Sequence, residues 1–262
     1  MTATSARSRV WVTRPMHQAD GICRLLEDAG LDVVRFPVIE IEAIADCSRL
    51  SQLFARIATY RYLIFVSQNA VALSYQHYLD KTSLPPGIVV IAIGNSTAAA
   101  LHQHGVQDVI HAGSSADSEA LLAMPELQSS AITGSDILLI RGQGGRDLLV
   151  NALNQRGANV EIAEVYMRKP PQYDTNELDW LWQQEAPDAI IVTSNEGIKH
   201  LLGLTPVGHR EKLLHTPLIV MSERNADFAR EHGFDAGIVV TNEQNDTGLY
   251  RATIELLETG HT

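Results

Sequence analysis

Residues 136–169 read DILLIRGQGGRDLLVNALNQRGANVEIAEVYMRK, and this stretch decides the fold. A short buried run, Ile137 to Ile140, leads into a glycine-rich turn flanked by Arg141 and Arg146. An amphipathic helix follows and leaves through Gly157; an alternating strand then carries Tyr166 near its tip. Strand, turn, helix and strand in this order make a βαβ unit, whose two strands are parallel.

The start of the chain has the same pattern. Val10 to Thr13 reads as a strand, Arg14-Pro15 breaks it, and His17 to Ala29 carries Ile22, Leu25, Leu26 and Ala29 at helical spacing before Gly30. Leu31 to Ile44, LDVVRFPVIEIEAI, alternates and is expected to be one long strand. At an offset of about 127 residues three blocks recur in one order. VWVTRP…LLEDAGLDVVRFPVIEI matches ILLIRG…ALNQRGANVEIAEVYMR, YLIFVSQNAV matches AIIVTSNEGI, and IAIGNSTAAALHQHGV matches LIVMSERNADFAREHGF. A single repeat of this size is a domain duplication and not a solenoid.

The expected fold is therefore α/β: two parallel-sheet, flavodoxin-like domains from a tandem duplication. The long strands Val33–Ile44 and Val160–Arg168 are expected to pair as a two-stranded antiparallel ladder that acts as a hinge, with a cleft between the domains. The first domain would be discontinuous, residues 1–37 plus 172–262. The second would be residues 46–161, with 38–45 and 162–171 as linker strands.

The chain has 262 residues and a net charge of −11, which argues against a nucleic-acid partner. No apolar run is long enough to span a membrane, and MTATSARSRVWV lacks the apolar region of a secretory signal. Cys23 and Cys47 form no CxxC pair, and Cys23 is expected as a small buried apolar residue; a reducing cytoplasm is expected. The ten histidines are scattered and make no metal site. Trp180 and Trp182 are expected to pack and partly to cover the surface.

Candidate site residues collect after the strands. Arg141-Gly142-Gln143-Gly144-Gly145-Arg146 is no dinucleotide fingerprint, because Asp147 occupies the place of the third glycine, and no Walker lysine follows. It reads as an anion-tolerant turn of free N–H groups and arginines, or as a tight strand–helix turn with two surface arginines. Ser67-Gln68-Asn69, Ser194-Asn195, Gly94 to Thr97 and Ser118 open helices, where they cap N-termini, receive a carboxylate, or do both. Arg14 is the counterpart of Arg141. Tyr166 is either a cross-strand aromatic or a protonated phenol able to donate to a leaving oxygen.

These blocks together resemble the uroporphyrinogen-III synthase family. The resemblance spans nearly the whole length and rests on VTRP, IFVSQNAV, IGNSTAAAL, SEALL (118–122), RGQGGRDLL with its VY-x-R strand, and IIVTSNEGI. It implies two α/β domains and a linear tetrapyrrole substrate with eight carboxylates, hydroxymethylbilane. The enzyme closes this to uroporphyrinogen III with loss of water and inversion of the last ring, using no metal or organic cofactor. It also implies a cytoplasmic monomer supplied by hydroxymethylbilane synthase, and makes Tyr166 the donor to the leaving hydroxyl. Ser222, Asn225 and Asn69 depart from the residues usual in relatives. The competing reading is a non-catalytic relative that keeps the cleft; such a binder need not retain the RGQGGR turn together with Tyr166.

Overall fold

The computed structural model describes residues 7–45, 48–79, 84–113, 117–145 and 147–259; Cys47 and Arg146 lie outside them. The chain divides into two compact units, Met1–Glu40 with Lys169–Thr262, and Ile41–Arg168. In chain order the first unit supplies β1 (Arg9–Val12), α1 (Met16–Asp28) and β2 (Asp32–Arg35). Next come β3 (Glu40–Ala43), α2 (Ser48–Ala55), β4 (Tyr62–Phe65), α3 (Gln68–His77), β5 (Val89–Ala92), α4 (Asn95–Gln103) and β6 (Val109–His111). The second unit continues with α5 (Ser118–Ala123), α6 (Ser129–Ile132), β7 (Asp136–Gly142), α7 (Leu148–Gln155) and β8 (Asn159–Lys169). The rest of the first unit is α8 (Thr175–Gln184), β9 (Ala189–Ile191), α9 (Asn195–Leu204), α10 (Arg210–Leu214), β10 (Leu218–Val220), α11 (Glu223–Glu231), β11 (Ile238–Val240) and α12 (Asp246–Thr259).

The first sheet has the order β2-β1-β9-β10-β11, every pair parallel. This is the doubly wound order 2-1-3-4-5 of flavodoxin-like sheets. The second sheet runs β8-β7-β4-β5-β6 in parallel, with β3 added outside β8. The two orders are equivalent under the sequence repeat, and so is the register. Arg9 pairs with Asp32 and Asp136 with Asn159; Val10 pairs with Ala189 and Ile137 with Tyr62. Each pair is related to its counterpart by 127 positions. The five parallel strands of each sheet therefore comprise two from one copy of the repeat and three from the other, and β3 adds a sixth strand to the second sheet.

Burial explains the strand composition. Alternate residues of β4 point to opposite faces: Leu63 and Phe65 enter one core cluster, Tyr62 and Ile64 another. A parallel sheet covered on both faces needs such continuous apolar strands. In the first unit Val10, Val12, Ile22, Cys23 and Leu26 pack together. Each fully buried side chain of this size contributes about 1.5–3 kcal/mol.

The expected strand over residues 31–44 is broken. β2 ends at Arg35 and β3 begins at Glu40. Pro37 lies in the gap; it has no N–H and cannot donate to a ladder. Two strands result, one in each sheet. Beyond the gap, Ile44 N–H donates to Val165 C=O at 3.2 Å, and Lys169 meets Glu40 at 3.7 Å. The partners run in opposite senses, so β3 is antiparallel to β8. The helix expected after Ser118 is short: α5 stops at Ala123, and Pro125–Leu127 forms a 3-10 turn. Pro125 supplies no N–H to extend α5. Trp182 is buried against Trp11, whereas Trp180 is 55% exposed.

Candidate functional site

In a doubly wound sheet ligands bind at the carboxyl ends of the strands, beside the point where strand order reverses. In the second unit that point lies between β7 and β4. Three predicted segments meet there: the glycine-rich turn after β7, Ser67-Gln68-Asn69 after β4, and Tyr166 on β8.

Tyr166 is the centre of the group. A register shift between Arg141 and Gly142 brings Gly142 opposite Tyr166, and Gln143 N–H donates to the Tyr166 C=O at 2.7 Å. A Cβ at Gly142 would stand 2.5 Å from Cζ and 2.6 Å from Cε2 of the ring, so glycine leaves the space the ring fills. The phenol oxygen lies 3.0 Å from Ser67 Oγ and 3.0 Å from Arg168 Nη2. Ser67 Oγ also accepts from Ala70 N–H and caps α3. Gln68 is exposed at the first turn of α3, and Asn69 is buried. Gly144 has φ 72°, a left-handed conformation that glycine adopts without strain.

Arg141 is less available to an anion than the sequence implies. It ends up inside β7, its side chain 9% exposed, with Asp147 Oδ1 at 3.2 Å and Glu164 Oε1 at 3.1 Å. Both carboxylates already take up its guanidinium. Arg146, the other flank of the turn, lies outside the described residues. Elsewhere on the same edge, Gly94 is the N-cap position of α4 and Thr97 is buried in its first turn. Ser118 is not the cap of α5; Asp117 is, its carboxylate accepting from Ala120 N–H at 2.7 Å. A cavity of about 280 Å³ opens beside the turn, lined by Ile44, Arg49, Leu50, Gln143, Ile162 and Glu164.

In the first unit the reversal falls between β1 and β9. Ser194 caps α9 through Gly197 N–H at 3.0 Å, the counterpart of Ser67. Asn195 Oδ1 accepts from Asn225 Nδ2 at 2.6 Å, and Ser222 Oγ donates to Asn225 Oδ1 at 2.8 Å. The first turns of α9 and α11 are thus tied together by side chains. Arg14 is engaged by Asp246 at 2.5 Å.

The sequence pointed to Ser67, Gly142 and Tyr166 separately; the fold brings them into contact. It did not single out Arg168, Glu164 or Asp117 as site residues, and it named Asp147, Ser222 and Asn225 only as departures from a motif. Arg168 was legible in part: two residues after Tyr166 on a strand, it shares a face with it. Among the described residues no group of three His, Cys, Asp or Glu side chains is placed to hold a metal.

The architecture defines a class: a doubly wound α/β protein with glycine, hydroxyl and amide groups gathered at the carboxyl ends of its parallel strands. The sequence family described as uroporphyrinogen-III synthase HemD matches residues 20–249. The chain is 36% identical over 242 residues to the uroporphyrinogen-III synthase of Salmonella typhimurium, covering 92% of this chain and 98% of that one. It is 36% identical over 245 residues to that of Escherichia coli, with the same coverage of each chain. Among solved structures, uroporphyrinogen-III synthetase from Helicobacter pylori matches with a TM-score of 0.61 at 18% identity, over 95% of this chain and 99% of that one. A mutant uroporphyrinogen III synthase from Thermus thermophilus matches at 0.60 and 17%, over 96% and 99%. These two show a shared fold. The chain belongs to the uroporphyrinogen-III synthase family.

Proposed function

We infer that the chain is a uroporphyrinogen-III synthase, a cyclising lyase of tetrapyrrole biosynthesis. It converts hydroxymethylbilane to uroporphyrinogen III with loss of water and inversion of ring D. The observation that carries this reading is 36% identity across 92% of the chain, over a segment that includes the site.

The chemistry suits such a protein. Loss of the substrate hydroxyl leaves an azafulvene cation stabilised by the pyrrole nitrogen, so the substrate supplies its own electrophile. Ring D must then be attacked at its substituted carbon through a spiro intermediate. The protein's task is to hold a flexible polyanion in that geometry, an entropic task. With a net charge of −11, the chain offers a carboxylate local donors and not a basic surface. Such donors are the helix N-termini at Ser67, Gly94, Ser194 and Ser222, with their hydroxyl and amide side chains. Arg14 pairs with Asp246, and Arg141 with Asp147 and Glu164, and in this proposal they brace the turns that follow β1 and β7. Gln68, Ser118 and Asn195 complete the proposed substrate-facing set, with Asn69, Thr97 and Gly142 buried in the same turns, and how the buried phenol of Tyr166 acts depends on Arg168.

The hinge and cleft expected from the long strands stay part of this proposal, as do a cytoplasmic monomer and transfer of substrate from hydroxymethylbilane synthase. No described helix is long and apolar enough to cross a membrane. The test is a coupled assay with freshly generated hydroxymethylbilane, which cyclises unaided to isomer I. Added protein should turn the product to isomer III; an unchanged ratio of isomers defeats the reading.

A further inference from the structure

Tyr166 is 1% exposed, yet the group its oxygen touches on one side, Arg168, is exposed. The ring rests where a side chain at position 142 would be, with 3.0 Å from that Cβ position to the phenol oxygen itself. Inward, the oxygen meets Ser67 Oγ, which closes the N-terminus of α3. Outward, Arg168 Nη2 donates to it at 3.0 Å, and the guanidinium carbon stands 5.3 Å from the ring centroid. A guanidinium only donates, so the phenol oxygen is the acceptor in that bond. The arrangement is a cation at the surface, moored by a hydrogen bond and by the ring face to a buried phenol.

We propose that Arg168 is a carboxylate anchor for the substrate, and that Tyr166 is a positioning residue acting through Arg168 and Ser67. The proposal rests on the synthase reading, since it takes a polycarboxylate as the ligand. Its physical basis is preorganisation. An arginine side chain has many rotamers, and docking a carboxylate on a free one loses that freedom at binding. Here the phenol has restricted the guanidinium before the ligand arrives, and a guanidinium pairs with a carboxylate through two parallel N–H bonds. The same phenol fixes the hydroxyl at the start of α3, so one buried group sets two donors at once. A phenol 1% exposed and bonded to two neighbours within its own unit meets the ligand through what it holds.

The test uses the full chain in the coupled assay, with Tyr166→Phe, Arg168→Gln, Arg168→Lys and the double variant Tyr166→Phe/Arg168→Gln. Both single losses should raise KM roughly tenfold with kcat changed less than about twofold. The double variant should lose only slightly more than Arg168→Gln, because Ser67 is then all that the phenol positions. Arg168→Lys should recover part of the loss. The proposal is overturned if Tyr166→Phe lowers kcat at unchanged KM in both backgrounds, which makes the phenol a proton donor. It is equally overturned if Arg168→Gln leaves KM unchanged. Should Tyr166→Phe not fold, the two Arg168 variants decide the matter, since their side chain is at the surface. Wild-type protein that forms no isomer III defeats the synthase reading and is told apart from either outcome.

Discussion

The unit β1–α1–β2 and the unit β7–α7–β8 share a frame and differ in how they end. Their strand registers coincide position for position. Their helices stop at equivalent residues, Asp28 and Gln155, but α1 has 13 residues and α7 has 8. The difference goes into the glycine-rich turn, which reaches from the end of β7 to Leu148. In the first copy Pro15 precedes the helix directly, and β2 ends at Arg35, two residues before Pro37. In the second copy the equivalent positions are Gly142 and Glu164, and β8 runs unbroken for 11 residues. Two prolines in one copy and their replacements in the other thus separate a plain strand–helix corner from one that holds a buried tyrosine. What the comparison teaches is that the duplicated backbone sets where a site forms, while a few residues that lack or supply an N–H or a side chain decide whether one copy elaborates it.

The comparison breaks most visibly at Gly142. Gly142→Ala drives a methyl group into the Tyr166 ring. It should destabilise the protein by about 1–3 kcal/mol, the usual range for overpacking, and abolish most synthase activity. Pro15→Ala, the equivalent change in the first copy, should cost less than about 1 kcal/mol. Urea melts of both proteins measure the difference; equal losses would mean that the ring does not need the glycine.

The charges near the two turns give a smaller contrast. Glu164→Ala removes one of two carboxylates from Arg141, whose side chain is 9% exposed. A loss of about 1–3 kcal/mol is expected, since a nearly buried cation keeps only part of its pairing. Asp246→Ala acts on Arg14, which is 17% exposed with a partner at 35%, and should cost under about 1 kcal/mol. Denaturant midpoints of the two variants at low ionic strength test the order.

The smallest effect concerns acid. In β8 the Glu161 carboxylate accepts from the Tyr60 hydroxyl at 2.6 Å and from Arg56 at 2.6 Å. The Tyr60 bond first, then the Arg56 pair, holds its carboxyl below the usual range. Val34 is the equivalent residue in the first copy. A depressed carboxyl stabilises the fold above its unfolded value and loses that contribution as pH falls through the folded value. The stability difference between wild type and Glu161→Gln should therefore be full at neutral pH and shrink below about pH 4.3, the ordinary value for Glu. Urea melts across that window measure it; a difference that is flat with pH would show that the carboxylate is not held in its charged form.

Much of the fold was legible because its causes are local and repeated. Continuous apolar runs such as YLIF and DILLI mark strands buried on both faces, and serine after such a run marks a helix start. The two copies could be aligned by these signals alone. The break at Pro37 was legible too, and the alternating pattern on either side of it outweighed the proline in the reading. The site was less legible. That Ser67, Gly142, Tyr166 and Arg168 meet depends on β7 lying beside both β4 and β8, and on a register shift that carries Tyr166 over a glycine.

The sequence by itself determined the α/β class, the repeat, the helix caps at Ser67 and Ser194, and the stretch from Asp136 to Lys169 as the second copy of the opening βα unit. Propensity, burial pattern and capping act over a few residues, so they are written in order along the chain. Only the tertiary structure decided that Arg141 is taken up by Glu164 of the neighbouring strand as well as by Asp147, and that the phenol of Tyr166 is buried over Gly142, against Ser67 and beneath an exposed arginine. Those outcomes turn on which strands become neighbours: Arg141 meets Glu164 because β7 lies beside β8, and Ser67 meets Tyr166, 99 positions away, only once the sheet has formed.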